Sequence, residues 1–120
     1  MAASPAHDGN LAARLDRALE GEVLFDRFSR GRYSTDASIY QVEPVGVVVP
    51  RSQDDLIAAM EIGREEGVSL LPRGGGTSQC GQTVNHSLVM DCSKHLNRII
   101  EIDPEGMRAL VEPGIALDHL

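Results

Sequence analysis

The chain is short of several things, and each shortage excludes something. It has no tryptophan and only two cysteines, Cys80 and Cys92, in 120 residues. No Cys-x-x-Cys pair occurs, which leaves two free thiols and points to a reducing, cytoplasmic setting. Long apolar runs are missing too: the longest is Val45–Val49, with Gly46 inside it, far short of a membrane span. Residues 1–10 carry no positive start and no apolar stretch, so no secretory signal is visible. Positive charge is scarce, with 11 basic against 18 acidic residues and a net charge of −7. That balance argues against a surface organised around nucleic acid or anionic lipid. No internal repeat or low-complexity segment is present.

What is there reads as one small domain or part of a larger one, with 42% apolar residues and twelve glycines. Met1–Gly9 reads as a tail. Leu11, Leu15, Ala18 and Leu19 then form one helical face, with Asn10 as its cap and Gly21 at its end. Val23–Glu43 lacks a clean period and reads as a long ordered loop, of the kind that is functional or docked elsewhere. Its basic residues Arg27, Arg30 and Arg32 read as a solvated surface. Val45–Val49 reads as a buried strand. Ser52–Asp55 resembles a capping box, opening a helix that buries Leu56, Ala59, Met60 and Gly63 and stops at Gly67. Glu65 and Glu66 oppose that helix's C-terminal dipole, so packing must hold the end. Val68–Leu71 follows as a strand, giving a βαβ unit with a parallel pair. Leu88–Asp91 is a third strand. Ile99–Ile102 and Met107–Val111 are the arms of a hairpin around a type I turn at Asp103–Gly106. Ile115–Leu120 looks like the start of a helix that continues past the last residue.

The segment Pro72–Val84 carries the chemistry. Gly74, Gly75, Gly76 and Gly81 stand among Thr77, Ser78 and Thr83, with Arg73 at the front. Glycines in an ordered loop supply φ > 0 or let a ligand approach the backbone. Together with the hydroxyls they offer many N–H and O–H donors and no negative charge, as a phosphate cradle requires. A dinucleotide fingerprint fails, because Gln79 stands where its third glycine belongs. A P-loop has the right spacing from Gly76 to Gly81, but Gln82 replaces the lysine that carries the charge.

The residues Pro72-Arg-Gly-Gly-Gly-Thr-Ser78 and Cys80-Gly-Gln82 resemble the pyrophosphate-binding loop of the FAD-linked oxidases typified by p-cresol methylhydroxylase and vanillyl-alcohol oxidase. They are most similar to the branch with glycolate oxidase flavin subunits and D-lactate dehydrogenases. The resemblance extends over the preceding strand–helix–strand, Asp91 and the Val111-Glu-Pro-Gly114 turn, from about Tyr33 to Leu120. Arg32–Ser38 resembles a segment of the large bacterial members fused to an iron–sulfur domain.

The resemblance implies an α+β fold: the N-terminal part of a PCMH-type FAD-binding domain, with a small βαβ-containing subdomain and the start of a second. Residues 1–42 would precede it and residues 43–120 form its first part. It implies FAD on Pro72, Arg73, Gly74, Gly75, Gly76, Thr77, Ser78, Gly81 and Gln82. It implies a small 2-hydroxy acid oxidised by hydride transfer to FAD, with the electron acceptor left open. An iron–sulfur cluster would lie beyond Leu120. No residue matches a catalytic base, and this segment alone is expected to be inactive. The alternative is a non-catalytic nucleotide-binding or interaction module that keeps the fold. Cys92-x-x-His95 has metal-ligand residue types without a second half-site, so no metal site is expected, and Ser93 reads as the cap of the turn at His95.

Thr77 stands where members with covalent FAD place a histidine. A threonine hydroxyl is a poor nucleophile without an adjacent base, so the flavin is expected to be non-covalent. Acid precipitation of the full-length protein should leave the yellow colour in the supernatant. Colour in the pellet would mean a covalent link.

Overall fold

A computed structural model describes residues 5–120, with side chains from residue 10 onward. Helix α1 spans Pro5–Ala18, so the expected tail is helical from Pro5, a residue suited to a first helical position. Met1–Ser4 lie outside the described residues. Asn10 is therefore inside the helix rather than at its cap, and its amide donates to Glu66 at 2.7 Å. The expected apolar face is correct: Leu11, Leu15 and Leu19 are buried. Gly21 does not end α1 through a positive φ; it lets the backbone pass against the Val49 carbonyl, which an added Cβ would strike.

Strand β1 (Glu22–Leu24) and a short helix α2 (Arg27–Arg32) follow, the latter within the segment expected to be loop. Asp26 makes this turn by accepting from the Ser29 N–H at 2.9 Å. Strand β2 (Gly46–Val49) is buried throughout. Helix α3 (Gln53–Glu66) starts at Ser52, whose hydroxyl accepts from Asp55 N–H, and ends at Gly67 in the left-handed region, φ 69°. The Val68 N–H donates back to the Gly63 carbonyl at 2.8 Å. That bond keeps Val68 in the helix cap, which is why β3 covers Leu70–Arg73 and not Val68–Leu71.

The buried side of α3 is Asp55, Ala59, Ile62 and Gly63. Met60 is half exposed, a correction to the expected face, because α1 contacts the side that carries Ile62. Packing does hold the acidic end: Arg14 of α1 pairs with Glu65 and, at 2.8 Å, with Glu66. A cation from a neighbouring helix thus offsets the unfavourable dipole.

Strand β4 (Leu88–Asp91) enters between β2 and β3, parallel to both, and β1 adds antiparallel to β2, giving the order β1-β2-β4-β3. The strands of the βαβ unit are thus parallel but do not pair directly. Helices α1 and α3 cover one face through Val48, Leu88 and Met90. Val47, Val49 and Val89 line the other with Leu24, Tyr33 and Leu71.

The hairpin β5 (Ile99–Asp103) and β6 (Arg108–Val111) forms a separate two-stranded sheet. Its turn occupies Pro104–Met107, with Asp103 accepting from Gly106 N–H, and the positive φ (52°) falls on Met107. The last element is a single 3₁₀ turn, Leu117–His119, in place of the expected α-helix. No described helix is long and apolar enough to cross a membrane.

Asp55 ties the N-terminal elements to the sheet. Its buried carboxylate accepts from the backbone N–H groups of Glu20 (3.0 Å), Gly21 (2.9 Å) and Arg51 (3.0 Å). Burial alone would raise its pKa; the three donors outweigh that and lower it. Asp55→Ala should cost about 2–4 kcal/mol, because it leaves three part-buried backbone donors without their acceptor. The sign of the pH effect follows from the lowered pKa. The contribution is complete above the unfolded carboxylate value and is lost as pH falls through the folded one. Urea midpoints of the wild type and Asp55→Ala should therefore converge in acid; a constant gap would refute this.

Candidate functional site

The carboxyl ends of parallel strands are where open α/β sheets bind ligands. Here β2, β4 and β3 end at Val49, Asp91 and Arg73 on the same side. From Arg73 the chain leaves the sheet and returns at Leu88 with no helix in between. Both the dinucleotide fingerprint and the P-loop need a helix directly after their glycines, so neither describes this loop.

Inside the loop the glycines divide into two kinds. Gly76 (φ 68°) and Gly81 (φ 81°) sit in the left-handed region, and each is also crowded, by the Arg73 guanidinium and the Tyr40 ring respectively. The fold itself demands glycine at both. Gly74 and Gly75 are different. A Cβ on Gly74 would have only the Pro113 carbonyl nearby, at 3.9 Å, and one on Gly75 only the Thr77 methyl, at 3.7 Å. Space above these two is open, and nothing in the described chain requires their bareness.

The donors follow the same division. Within the described residues, the N–H groups of Gly74, Gly75, Gly76, Thr77, Ser78 and Gln79 have no acceptor, and neither do the Thr77 and Ser78 hydroxyls. The Cys80 N–H is occupied by the Gln82 side-chain oxygen at 3.1 Å. Gln82 therefore braces the loop from within. Pro72 and Arg73 belong to β3. Arg73 turns beneath the loop: its guanidinium donates to the carbonyls of Thr35 (2.7 Å), Thr83 (3.2 Å) and Tyr33 (3.4 Å) and lies 5.3 Å from the Tyr33 ring centre.

The support around the loop comes from Tyr33, Asp36 and Asp91. Tyr33 donates its phenol to the buried Asp91 carboxylate, whose other oxygen accepts from the Ser93 N–H (2.9 Å) and hydroxyl (2.6 Å). The turn at His95 is thus capped by Asp91, with Ser93 as donor. Asp36 accepts from the Ser38 N–H at 2.8 Å and the Thr83 hydroxyl at 3.0 Å; hydrogen bonding to Ser38, and less so to Thr83, holds its pKa down. The one signal for these contacts was the aperiodic length of Val23–Glu43. Burial pushes the Cys92 thiol upward, while Cys80 is exposed.

Comparison with known proteins identifies the family and the fold. The sequence model described as "FAD binding domain" matches residues 44–120. D-2-hydroxyglutarate dehydrogenase of Escherichia coli (strain K12) is 47% identical over 103 residues, covering 83% of this chain and 10% of that protein. Glycolate oxidase subunit GlcD of Bacillus subtilis (strain 168) is 40% identical over 102 residues, covering 81% of this chain and 22% of that protein. Among solved structures, 4-ethylphenol oxidase from Gulosibacter chungangensis superposes with a TM-score of 0.74 at 22% identity, over 93% of this chain and 23% of that one. p-Cresol methylhydroxylase gives 0.71 at 21% identity, again over 93% and 23%. These two likenesses establish the fold. The chain thus spans between a tenth and a quarter of the proteins it matches.

Burial, and then the bond to Asp91, push the Tyr33 phenol up to about 12. Its folded value lies above the unfolded one, so its contribution is complete below the ordinary tyrosine pKa and is lost as pH rises through 12. Alkaline absorbance titration should show a tyrosine ionising near that value in the wild type and not in Tyr33→Phe. A wild-type titration with no such late phase would contradict the Tyr33–Asp91 contact.

Proposed function

The chain belongs to the FAD binding domain family, matched over residues 44–120, and from that premise we propose that Gly74–Ser78, with Gly81 and Gln82, hold the pyrophosphate of FAD in a flavin-dependent 2-hydroxy-acid dehydrogenase or oxidase. The observation that carries the reading is the run of unpartnered donors from Gly74 to Gln79, lying where a Cβ on Gly74 or Gly75 would make only one ordinary van der Waals contact and no clash. Such a loop fits a diphosphate: N–H and hydroxyl donors share the charge and no side chain blocks the approach. Thr77 and Ser78 are hydroxyl donors in this reading. Gln82 and Gly81 keep the loop's shape.

Bound FAD supplies the hydride acceptor for converting a 2-hydroxy acid to a 2-oxo acid. The residues of this chain bind and orient; the groups that touch substrate lie in the remainder of a longer protein. That its relatives include a D-2-hydroxyglutarate dehydrogenase, a glycolate oxidase subunit and a D-lactate dehydrogenase supports the substrate class. A relative about ten times the matched length also supports membership of the large forms. An iron–sulfur cluster in such a form would draw its thiolates from elsewhere, since two cysteines are too few. Two free thiols suit a cytoplasmic location.

The test is the absorption spectrum of the purified full-length protein, followed by 2-oxo-acid formation with a panel of 2-hydroxy acids. A colourless protein with no FAD affinity would overturn the proposal. The open space at Gly75 provides the sharper variant. Because a Cβ there fits the fold, Gly75→Val should keep the melting temperature and weaken FAD at least about tenfold, by standing between backbone and phosphate. Unchanged flavin content would show that the loop is not the cradle.

A further inference from the structure

Residues Thr35–Gln41 form a strap across the glycine-rich loop. A bridge between Thr35 and Gln41 closes the strap, and Val42 N–H donates to the Ser34 carbonyl at 2.9 Å just outside it. Within it, Asp36 accepts from Ser38 N–H at 2.8 Å and Ser38 accepts from Tyr40 N–H at 3.1 Å, so the strap keeps its own shape. It grips the loop at one end through the second oxygen of Asp36, on the Thr83 hydroxyl, and through the Tyr40 ring against Gly81. The other grip is Arg73, which comes from β3, lies against Gly76 and donates to the carbonyl of Thr35 in the strap and of Thr83 in the loop. Both grips fall on the residues whose backbone the fold itself constrains, Gly76 and Gly81–Thr83. Gly74 and Gly75, before the first grip, and Thr77 and Ser78, between the two, are left free.

We propose that Arg73 and Asp36 are positioning residues that buckle the strap to the loop and set its phosphate-accepting shape before FAD arrives. This rests on the reading of the loop as the FAD site. It changes the expected part of Arg73, whose fork serves three backbone carbonyls in place of a phosphate oxygen. The chemistry favours that part. A planar guanidinium with several directed donors can join three carbonyls from two segments, which the point charge of an ammonium cannot. A loop ordered in advance loses less freedom on binding, so its shape appears as affinity.

Arg73→Lys separates the two parts, because it keeps the charge and removes the fork. Hydrogen exchange is to be measured on the FAD-free full-length protein, in peptides covering the strap (34–42) and the bonded end of the loop (80–84), and FAD affinity by fluorescence titration. Arg73→Lys and Asp36→Ala should each speed exchange in this loop before any ligand is added. Each should weaken FAD about tenfold, while Asp36→Asn, which can still meet Ser38 and Thr83, restores most of the loss. Asp36→Ala and Thr83→Val should be less than additive, since they break the same bond. Wild-type exchange in both Arg73→Lys and Asp36→Ala would overturn the buckle and make Arg73 a direct ligand contact. Faster exchange with unchanged affinity, beside a Gly75→Val that does lose FAD, would overturn the positioning role alone. Unchanged affinity in Gly75→Val as well would instead overturn the FAD reading of the loop.

Discussion

Because β4 enters the sheet between β2 and β3 and runs parallel to both, the connection from Arg73 to Leu88 must travel the length of a strand and come back. Parallel neighbours usually make that journey with a helix, which satisfies its own backbone. This chain makes it with glycines and hydroxyl residues. Most polar backbone groups in the crossover therefore need a partner from a side chain, another segment, solvent or a ligand. Arg73 and the Thr35–Gln41 strap partner one part of it. The donors of Gly74–Gln79 are left for something else. The site is a consequence of the strand order.

Two buried carboxylates secure the sheet that imposes this route. Asp55 gathers backbone donors from the α1–β1 connection and from the residue after Pro50, joining the N-terminal elements to α3. Asp91, at the end of β4, receives Tyr33 on one oxygen and Ser93 on the other. Both act as acceptors for groups from separate parts of the chain, so neither buried carboxylate is left without hydrogen-bond donors. Tyr33 also lies under Arg73, so the contact that closes one face of the sheet adjoins the one beneath the loop.

The β5–β6 hairpin has no such support among the described residues. Ile100, Ile102 and Leu110 are more than half exposed, and Met107 and Leu117 are almost wholly so. A lone two-stranded sheet is marginal in water. The four-stranded sheet and its two helices hold the core clusters, and the hairpin extends from them past the Glu112–Gly114 turn.

Much of this was legible in the residues, for local reasons. The α1 face, the Ser52 cap, the Gly67 stop, the Leu88–Asp91 strand and the hairpin each depend on neighbours within a few positions, where periodicity and capping chemistry act. The glycine-rich loop was legible too, since three glycines followed by hydroxyls are a backbone statement made in sequence. Met60, Asn10 and Arg73 show the other side. Whether α3 buries Met60 or Ile62 depends on where α1 lies, and α1 begins earlier than its apolar period suggests. Asn10 and Arg14 find Glu65 and Glu66 only because the two helices are adjacent. The insertion of β4 between β2 and β3, and the arrival of Asp36 at Thr83 and of Arg73 at Thr35, join residues 18 to 47 positions apart. Local propensity carries no information over that distance, so the chain's own residues determined the elements and the donor-rich loop, and the tertiary packing alone decided which donors are spent inside the protein and which remain unpartnered.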